Sequence, residues 1–255
     1  MSDPDLRVSP ASIPSPRAKR GLALRHLALA AQGMTGADIE RLVRDARGIA
    51  RRAKRKLRYA DIIAQLNRDA GTLPADLRWR VSVHEAGHAL AFHITGAAEL
   101  ISLTTGRGSG GATAVRWPAT PSQTEAGAMD IIACYLAGRA AEIMMFGTAL
   151  IGNGGGEMSD LAIATTNAVR LETVFGCSAD APLLYMPSDR PSHDLRFDRD
   201  LADRVNKRLE SALAMATNTV TQHREQLLAL ASVLDRRRFL DGEEARRLLG
   251  AVAGS

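Results

Sequence analysis

The five residues HEAGH, from His84 to His88, constrain this chain more than any other feature of its sequence. They lie in the run RVSVHEAGHALAFHI, which predicts a helix from about residue 75 to Gly96. Side chains four residues apart share one face of a helix, with Cβ atoms about 5 to 6 Å apart. Two imidazoles placed in this way can bind one Zn²⁺ at about 2.0 to 2.1 Å each. The pattern therefore predicts a zinc site on this helix.

Glu85 follows the first histidine by one position, which places its carboxylate beside such a metal rather than on it. A carboxylate in that position can take a proton from a metal-activated water and later give it to a leaving amine. We therefore predict that Glu85 is the catalytic base. The competing interpretation is a chance match on a surface helix, which is a rare coincidence in a chain with six histidines.

A catalytic zinc site usually has three protein ligands and one position open to water, so a third ligand must come from elsewhere in the chain. His93 is close in sequence, but it lies nine residues after His84 and points to the opposite face of the helix. We expect His93 to be a structural or surface histidine.

Three downstream carboxylates remain as candidates for the third ligand: Glu142 in a long apolar helix, Glu157 in a glycine-rich loop, and Asp160 in the first turn of the next helix. Asp160 could simply complement the dipole of that helix. A carboxylate behind a flexible loop is also able to reach a metal on a neighbouring helix. Glu142 would be costly to bury unpaired, so we expect it to orient a ligand histidine or to pair with Arg139.

The periodicity of apolar residues predicts a mainly α fold with one small β element. Thr35 and Asp38 form the capping-box pattern of one helix. The segments ELISLTT and ATAVRW alternate as strands do and predict a hairpin. Prolines at positions 182, 187 and 191 predict a long loop. The predicted helices are residues 22–31, from 35 on, 59–66, 75–95, 123–146, 159–175, from 199 on, 225–234 and a short one after residue 241.

Composition is that of a globular protein in a reducing compartment, with 45% hydrophobic and 24% charged residues. Two cysteines exclude a disulfide scaffold. No stretch approaches the roughly 20 apolar residues of a membrane-spanning helix, and the N-terminus lacks the apolar core of a secretory signal. We therefore expect a cytoplasmic protein without a membrane span, which would reach a membrane only through its partners.

A basic run between residues 41 and 58 contains nine lysines and arginines and a single acid, Asp45. Such a run is able to bind nucleic acid or acidic lipid. No aromatic residue interrupts it, so base stacking has no support. The preferred interpretation is a solvated helix face or a docking surface for a neighbouring subunit, and we do not expect a nucleic-acid partner.

Three blocks in order, HEAGHA, LAGRAAEIMMFG and MSDLAIATTNAVRLETVFGCS, resemble the zinc peptidase domain of FtsH-type AAA proteases, from about residue 81 to residue 249. The upstream segment from LALAAQ to IIAQL resembles the helical lid that ends the AAA module in the same proteases. The resemblance implies that His84, His88 and Asp160 hold Zn²⁺ and that Glu85 is the catalytic base. It also implies that the strand ATAVRW, residues 112–117, binds unfolded polypeptide by edge pairing.

The chain departs from the family in its nucleotide-binding core. None of its four lysines follows a glycine, as the last part of a P-loop requires. Where the family has TGASNDL, this chain has GGEMSDL. We therefore expect no ATP hydrolysis by this chain, and a separate AAA ATPase is a candidate partner. The resemblance also suggests a homo-oligomer, a hexamer in the family.

Together these features predict a zinc-dependent metalloendopeptidase that hydrolyses peptide bonds in unfolded proteins. The predicted organisation is a disordered lead-in over residues 1–20, a lid-like helical subdomain over residues 21–73 and a metallopeptidase domain over residues 74–255. The alternative is a non-catalytic assembly or nucleic-acid-binding module derived from the same family. Zinc content and the activity of a Glu85→Gln variant distinguish the two.

Overall fold

A computed structural model of the chain describes residues 27, 28, 31, 34–69, 73–107, 110–120, 122–187 and 191–251. The predicted lead-in, residues 1–20, lies outside these ranges, and so does most of the first predicted helix, residues 22–31. The chain divides into two compact units, one up to residue 69 and one from residue 70 onward.

The first unit contains helices α1 (Gly36–Arg52) and α2 (Tyr59–Asp69). The capping box predicted for α1 is present: the Thr35 hydroxyl accepts the Asp38 N–H, and the Asp38 carboxylate accepts the Thr35 N–H. Leu42, Ala46 and Ala50 form the buried stripe of α1. The capping box joins residues three positions apart, and the stripe recurs every four residues, which is why the sequence pattern predicts both.

The second unit contains the remaining elements and is mainly α, as predicted. In chain order they are α3 (Ala75–Thr95), β1 (Glu99–Arg107), β2 (Gly110–Arg116), α4 (Glu125–Phe146), a 3₁₀ turn (Ile151–Asn153), α5 (Asp160–Thr173), α6 (Pro191–Phe197), α7 (Arg199–Gln222), α8 (Arg224–Arg237), β3 (Phe239–Asp241) and α9 (Gly242–Ala251). None of the helices described combines the length and the apolar character that crossing a bilayer requires.

The helices that flank the site end where the sequence predicts. Helix α3 ends at Gly96 and α4 ends at Gly147, and both glycines adopt the left-handed conformation, with φ of 68° and 74°. The Thr124 hydroxyl accepts the Gly127 N–H and caps the first turn of α4. The segment predicted as a long loop differs from expectation, because residues 191–197 form the short helix α6.

The small sheet has the order β2-β1-β3, and β1 pairs antiparallel with both neighbours. The predicted hairpin is confirmed, with a somewhat longer β1 and with β2 ending one residue before Trp117. The sequence did not predict β3. Three residues are too few to show an alternating pattern, and β3 exists only because its backbone pairs with residues 102–104 of β1.

Helix α3 packs closely on α4 at Gly87. A Cβ at that position would lie 2.5 Å from the carbonyl oxygen of Ala137 and 2.8 Å from the Cβ of Ala141. Only a glycine allows the two helix backbones to approach this closely. The buried core continues around this crossing through Leu90, Ile132 and apolar residues of α7 and α8. The crossing therefore sets the position of the histidines on α3 against α4.

Candidate metal centre

His84 and His88 project from one face of α3 toward Asp160, the first residue of α5. The two Nε2 atoms lie 2.9 Å apart. Oδ2 of Asp160 lies 3.1 Å from Nε2 of His84 and 3.3 Å from Nε2 of His88. Three donor atoms from two elements that are distant in sequence thus form a triangle with sides of about 3 Å.

This triangle has the dimensions of a tetrahedral zinc site. Two atoms bound to one tetrahedral ion at about 2.05 Å lie about 3.3 Å apart. Two imidazole nitrogens and a carboxylate oxygen are ligands that zinc prefers, and three protein ligands leave a fourth position open. Within the part of the chain that the structure describes, His84, His88 and Asp160 are the group whose donor atoms converge in this way.

Hydrogen bonds at Nδ1, on the side of each ring that faces away from the triangle, fix both histidine rings. Nδ1 of His84 lies 2.8 Å from Oε1 of Glu142, and Nδ1 of His88 lies 2.8 Å from the carbonyl oxygen of Cys134. When such a ring is neutral, an Nδ1 that donates leaves the lone pair on Nε2, the nitrogen that faces the open side of the triangle. The contacts therefore hold both rings in the orientation in which Nε2 can bind a metal, and binding a metal would displace the Nε2 proton of a charged ring.

Glu142 is almost completely buried, and several groups satisfy its charge. Besides His84, its carboxylate accepts the backbone N–H of Leu150 at 2.8 Å and lies 3.5 Å from the guanidinium of Arg80. Of the two roles expected for Glu142, the orientation of a histidine agrees with these contacts. Glu157, the other candidate for a third ligand, is exposed in its loop and is not part of the converging group.

The charges within the triangle reinforce one another. Burial alone would lower the pKa of His84, but the carboxylates of Asp160 and Glu142 raise it to about 10. Burial would raise the pKa of Asp160, but hydrogen bonds from His84 and His88 hold it well below its usual range. Asp160 is therefore ionised at neutral pH and presents a negative charge to the centre.

Glu85 lies beside the triangle with only 5% of its surface exposed. Its Oε2 accepts a hydrogen bond of 2.7 Å from the hydroxyl of Thr113, on β2. Burial raises the pKa of this carboxyl above its ordinary value, against the opposing effect of His84 and His88. A carboxylate with a raised pKa is suited to exchange a proton near neutral pH.

A cavity of about 440 Å³ opens onto the triangle and onto Glu85. Its walls include the aromatic rings of Phe92 and Tyr135 and the side chains of Leu150 and Met158. Residues 110–113 of β2 line one side, so an edge of the sheet borders the site. The cavity is large enough for several side chains of a peptide and has the mixed lining of a ligand site.

Two contributors to the site had no signal in the sequence. Thr113 was predicted as part of a strand, but no motif connects it with Glu85, 28 residues earlier. The carbonyl oxygen of Cys134 is a backbone group, and its role depends only on where α4 crosses α3. The thiol of Cys134 is buried, which raises its pKa to about 12, so the thiol is protonated at neutral pH and is not a nucleophile.

Comparison with known proteins matches a peptidase family to the part of the chain that contains the candidate metal centre. The profile described as peptidase family M41 matches residues 73–248, more than half of the chain. The chain belongs to peptidase family M41. The match begins before α3 and ends within α9, so it includes every residue of the candidate centre.

Several full-length relatives are similar over most of this chain. The ATP-dependent zinc metalloprotease FtsH of Thermobaculum terrenum is 30% identical over 90% of the chain. FtsH 3 of Sphaerobacter thermophilus is 30% identical over 88%, and FtsH of Bacillus subtilis is 27% identical over 89%. The chain spans less than half of these relatives, namely 38%, 47% and 39% of their lengths.

Proposed function

We propose that this chain is a zinc-dependent endopeptidase that cleaves unfolded polypeptide. The observation that carries the proposal is the convergence of His84, His88 and Asp160 at about 3 Å from one another, with the carboxylate of Glu85 beside them in one cavity. The relatives are called zinc metalloproteases, and this donor set fits the same ion.

His84, His88 and Asp160 would hold the ion, and Glu142 would keep His84 oriented. When bound, zinc acidifies a water and polarises the carbonyl group of the bond to be cut. Glu85 accepts the proton as the water attacks that carbonyl. It then transfers the proton to the amide nitrogen, which leaves as an amine. Burial of Glu85 supports this role, because the carboxyl must bind the proton and release it within one cycle.

The edge of the sheet supports an extended peptide as the substrate. Strand β2 pairs with β1 on one side, and in the described part of the chain the sheet does not continue beyond its other side. An extended polypeptide could pair with this free edge and pass over Glu85 and the cavity. A folded protein does not offer such a segment, so the site would select unfolded chains.

The proposal is tested by measuring zinc and proteolysis on the same preparation. We expect about one zinc per chain and cleavage of casein that stops on chelation and returns with added Zn²⁺. Glu85→Gln should keep the zinc but lose about 10²- to 10⁴-fold in kcat, because an amide cannot accept the proton. A preparation without zinc, or cleavage that survives chelation, would contradict the proposal. So would an active Glu85→Gln variant.

A further inference from the structure

The hydroxyl of Thr113 reaches from β2 to Glu85 on α3. Its oxygen lies 2.7 Å from Oε2 of the Glu85 carboxylate and 3.1 Å from the carbonyl oxygen of the same residue. A threonine hydroxyl has one proton to donate. The carboxylate is nearer and charged, so it is the stronger acceptor of the two. The sheet and the proposed catalytic base are thus joined by a charge-assisted hydrogen bond.

Gly111 contacts the same carboxylate from the same strand. A Cβ at position 111 would lie 2.8 Å from both Cγ and Oε1 of Glu85. Positions 111 and 113 project to the same side of a strand. Strand β2 therefore approaches Glu85 at two successive positions of one face, with no room for a side chain at the first and a donor at the second.

We propose that Thr113 is a positioning residue for Glu85, an inference that rests on the proposed function. Its hydroxyl holds Oε2 of Glu85 by a hydrogen bond. Among the residues that the structure describes, no donor reaches Oε1, so Oε1 is left as the oxygen that exchanges the proton. A glutamate side chain has several rotatable bonds, and a displacement of about 1 Å in a reacting group costs about a hundredfold in rate. The strand that would bind substrate thus also sets the position of the base.

Replacing the hydroxyl by a methyl group tests this role. Thr113→Val keeps the shape and the β-branched character of the side chain but removes the donor. We expect kcat on casein to fall about ten- to a hundredfold, with KM changed less than about threefold, because a bond to a charged acceptor is lost. Zinc content and melting temperature should stay at the parent's values. Thr113→Ser keeps the hydroxyl and should recover most of the activity.

Two further variants separate positioning from a general effect on the sheet. Thr104 lies on the neighbouring strand β1, and its hydroxyl contacts the carbonyl oxygen of Ala112 at 3.4 Å. The control variant Thr104→Val should leave kcat unchanged. Combining Thr113→Val with Glu85→Gln should cost no more than Glu85→Gln alone, because both changes act through one carboxylate. If Thr113→Val unfolds the sheet, Thr113→Ala repeats the test with a smaller side chain.

Three outcomes would overturn the positioning role while the proposed function stands. They are a Thr113→Val enzyme as active as its parent, a Thr113→Ser enzyme as impaired as Thr113→Val, and a double variant with additive losses. Failure of the proposed function looks different, because the parent protein itself would then lack zinc or chelator-sensitive cleavage.

Discussion

Gly138 faces the two imidazole rings from helix α4. A Cβ at this position would lie 2.5 Å from Cε1 of His84 and 2.6 Å from Nε2 of His88. Real Cβ atoms do not approach other atoms this closely, so any side chain would push the rings out of place. The absence of a side chain at residue 138 is therefore part of the geometry that brings the donor atoms together.

At this scale we predict that Gly138→Ala loses metal. The added methyl group displaces both rings, and zinc affinity should fall at least about tenfold, as it does when groups that orient a ligand are changed. The measurement is zinc per chain after dialysis against a buffered zinc concentration, with circular dichroism to show that the helices persist.

The matched control is Gly48→Ala in the middle of α1, where the new Cβ would meet only the guanidinium end of Arg52, at 3.5 Å. This change should leave zinc binding alone and stabilise the helix by about 0.4 to 1 kcal/mol. A Gly138→Ala protein that keeps zinc as tightly as its parent would show that the rings tolerate the methyl group.

Among the elements, α5 is tied to α7 through Glu172. Its carboxylate is 4% exposed and accepts hydrogen bonds from Nε of Arg204, at 3.0 Å, and from Nε of Arg208. Arg208 also pairs with Glu125 of α4 at 2.6 Å. Since Asp160 begins α5, this network holds the helix that carries the third donor of the site. A buried carboxylate with two charged donors is costly to disrupt.

We predict that Glu172→Gln destabilises the protein in a pH-dependent way. Burial raises the pKa of Glu172, but the two arginines lower it below its ordinary value. A carboxyl whose pKa is lower in the folded state stabilises that state above its unfolded pKa, and this contribution is lost as the pH falls. The free energy of unfolding in urea should be about 2 to 3 kcal/mol lower for the variant at pH 7. The difference should shrink below about pH 4.5.

An exposed ion pair provides the control. Glu40 and Arg44 lie 3.3 Å apart on the surface of α1. Glu40→Gln should change the unfolding free energy by less than about 0.5 kcal/mol at either pH, because water and salt screen such pairs. A Glu172→Gln variant with an equally small effect would mean that the network adds no stability.

Considered as a whole, the second unit places its sheet so that one edge borders the cavity. Strand β1 pairs with β3 on one side and with β2 on the other, and residues of β2 line the cavity. An exposed edge of this kind is able to pair with the backbone of an extended chain. The relatives are called ATP-dependent. We propose that the candidate metal centre acts only on segments of a substrate that are already unfolded.

We accordingly predict that the protein alone cleaves a disulfide-stabilised protein only after that protein has been reduced and alkylated. The two forms share one sequence, and apart from the alkylated cysteines and the broken disulfides they differ in their fold. A substrate with an unfolding free energy of about 5 kcal/mol exposes its chain for less than about one part in a thousand of the time. Cleavage of the native form should be slower by at least that factor. Equal rates would show that the site does not require an extended chain.

Much of the fold follows from local patterns. Apolar periodicity predicts α1 because it reports which face of a helix is buried, and a capping box and glycines predict where α1 begins and where α3 and α4 end. The pattern cannot predict β3, whose three residues acquire their strand structure from pairing with β1. Helix α6 was missed because the prolines around it favour a loop.

The sequence by itself determined the pair of histidines and the glutamate beside them, because a spacing of four residues on a helix fixes a shared face without help from the rest of the chain. It left three carboxylates open as a third ligand on spacing alone. Only the tertiary structure decided that Asp160, 76 residues after His84, lies against the rings while Glu142 lies behind one of them. The physical reason is that contacts between distant segments depend on how helices cross, as α3 and α4 do at Gly87, and that crossing results from packing of the whole core.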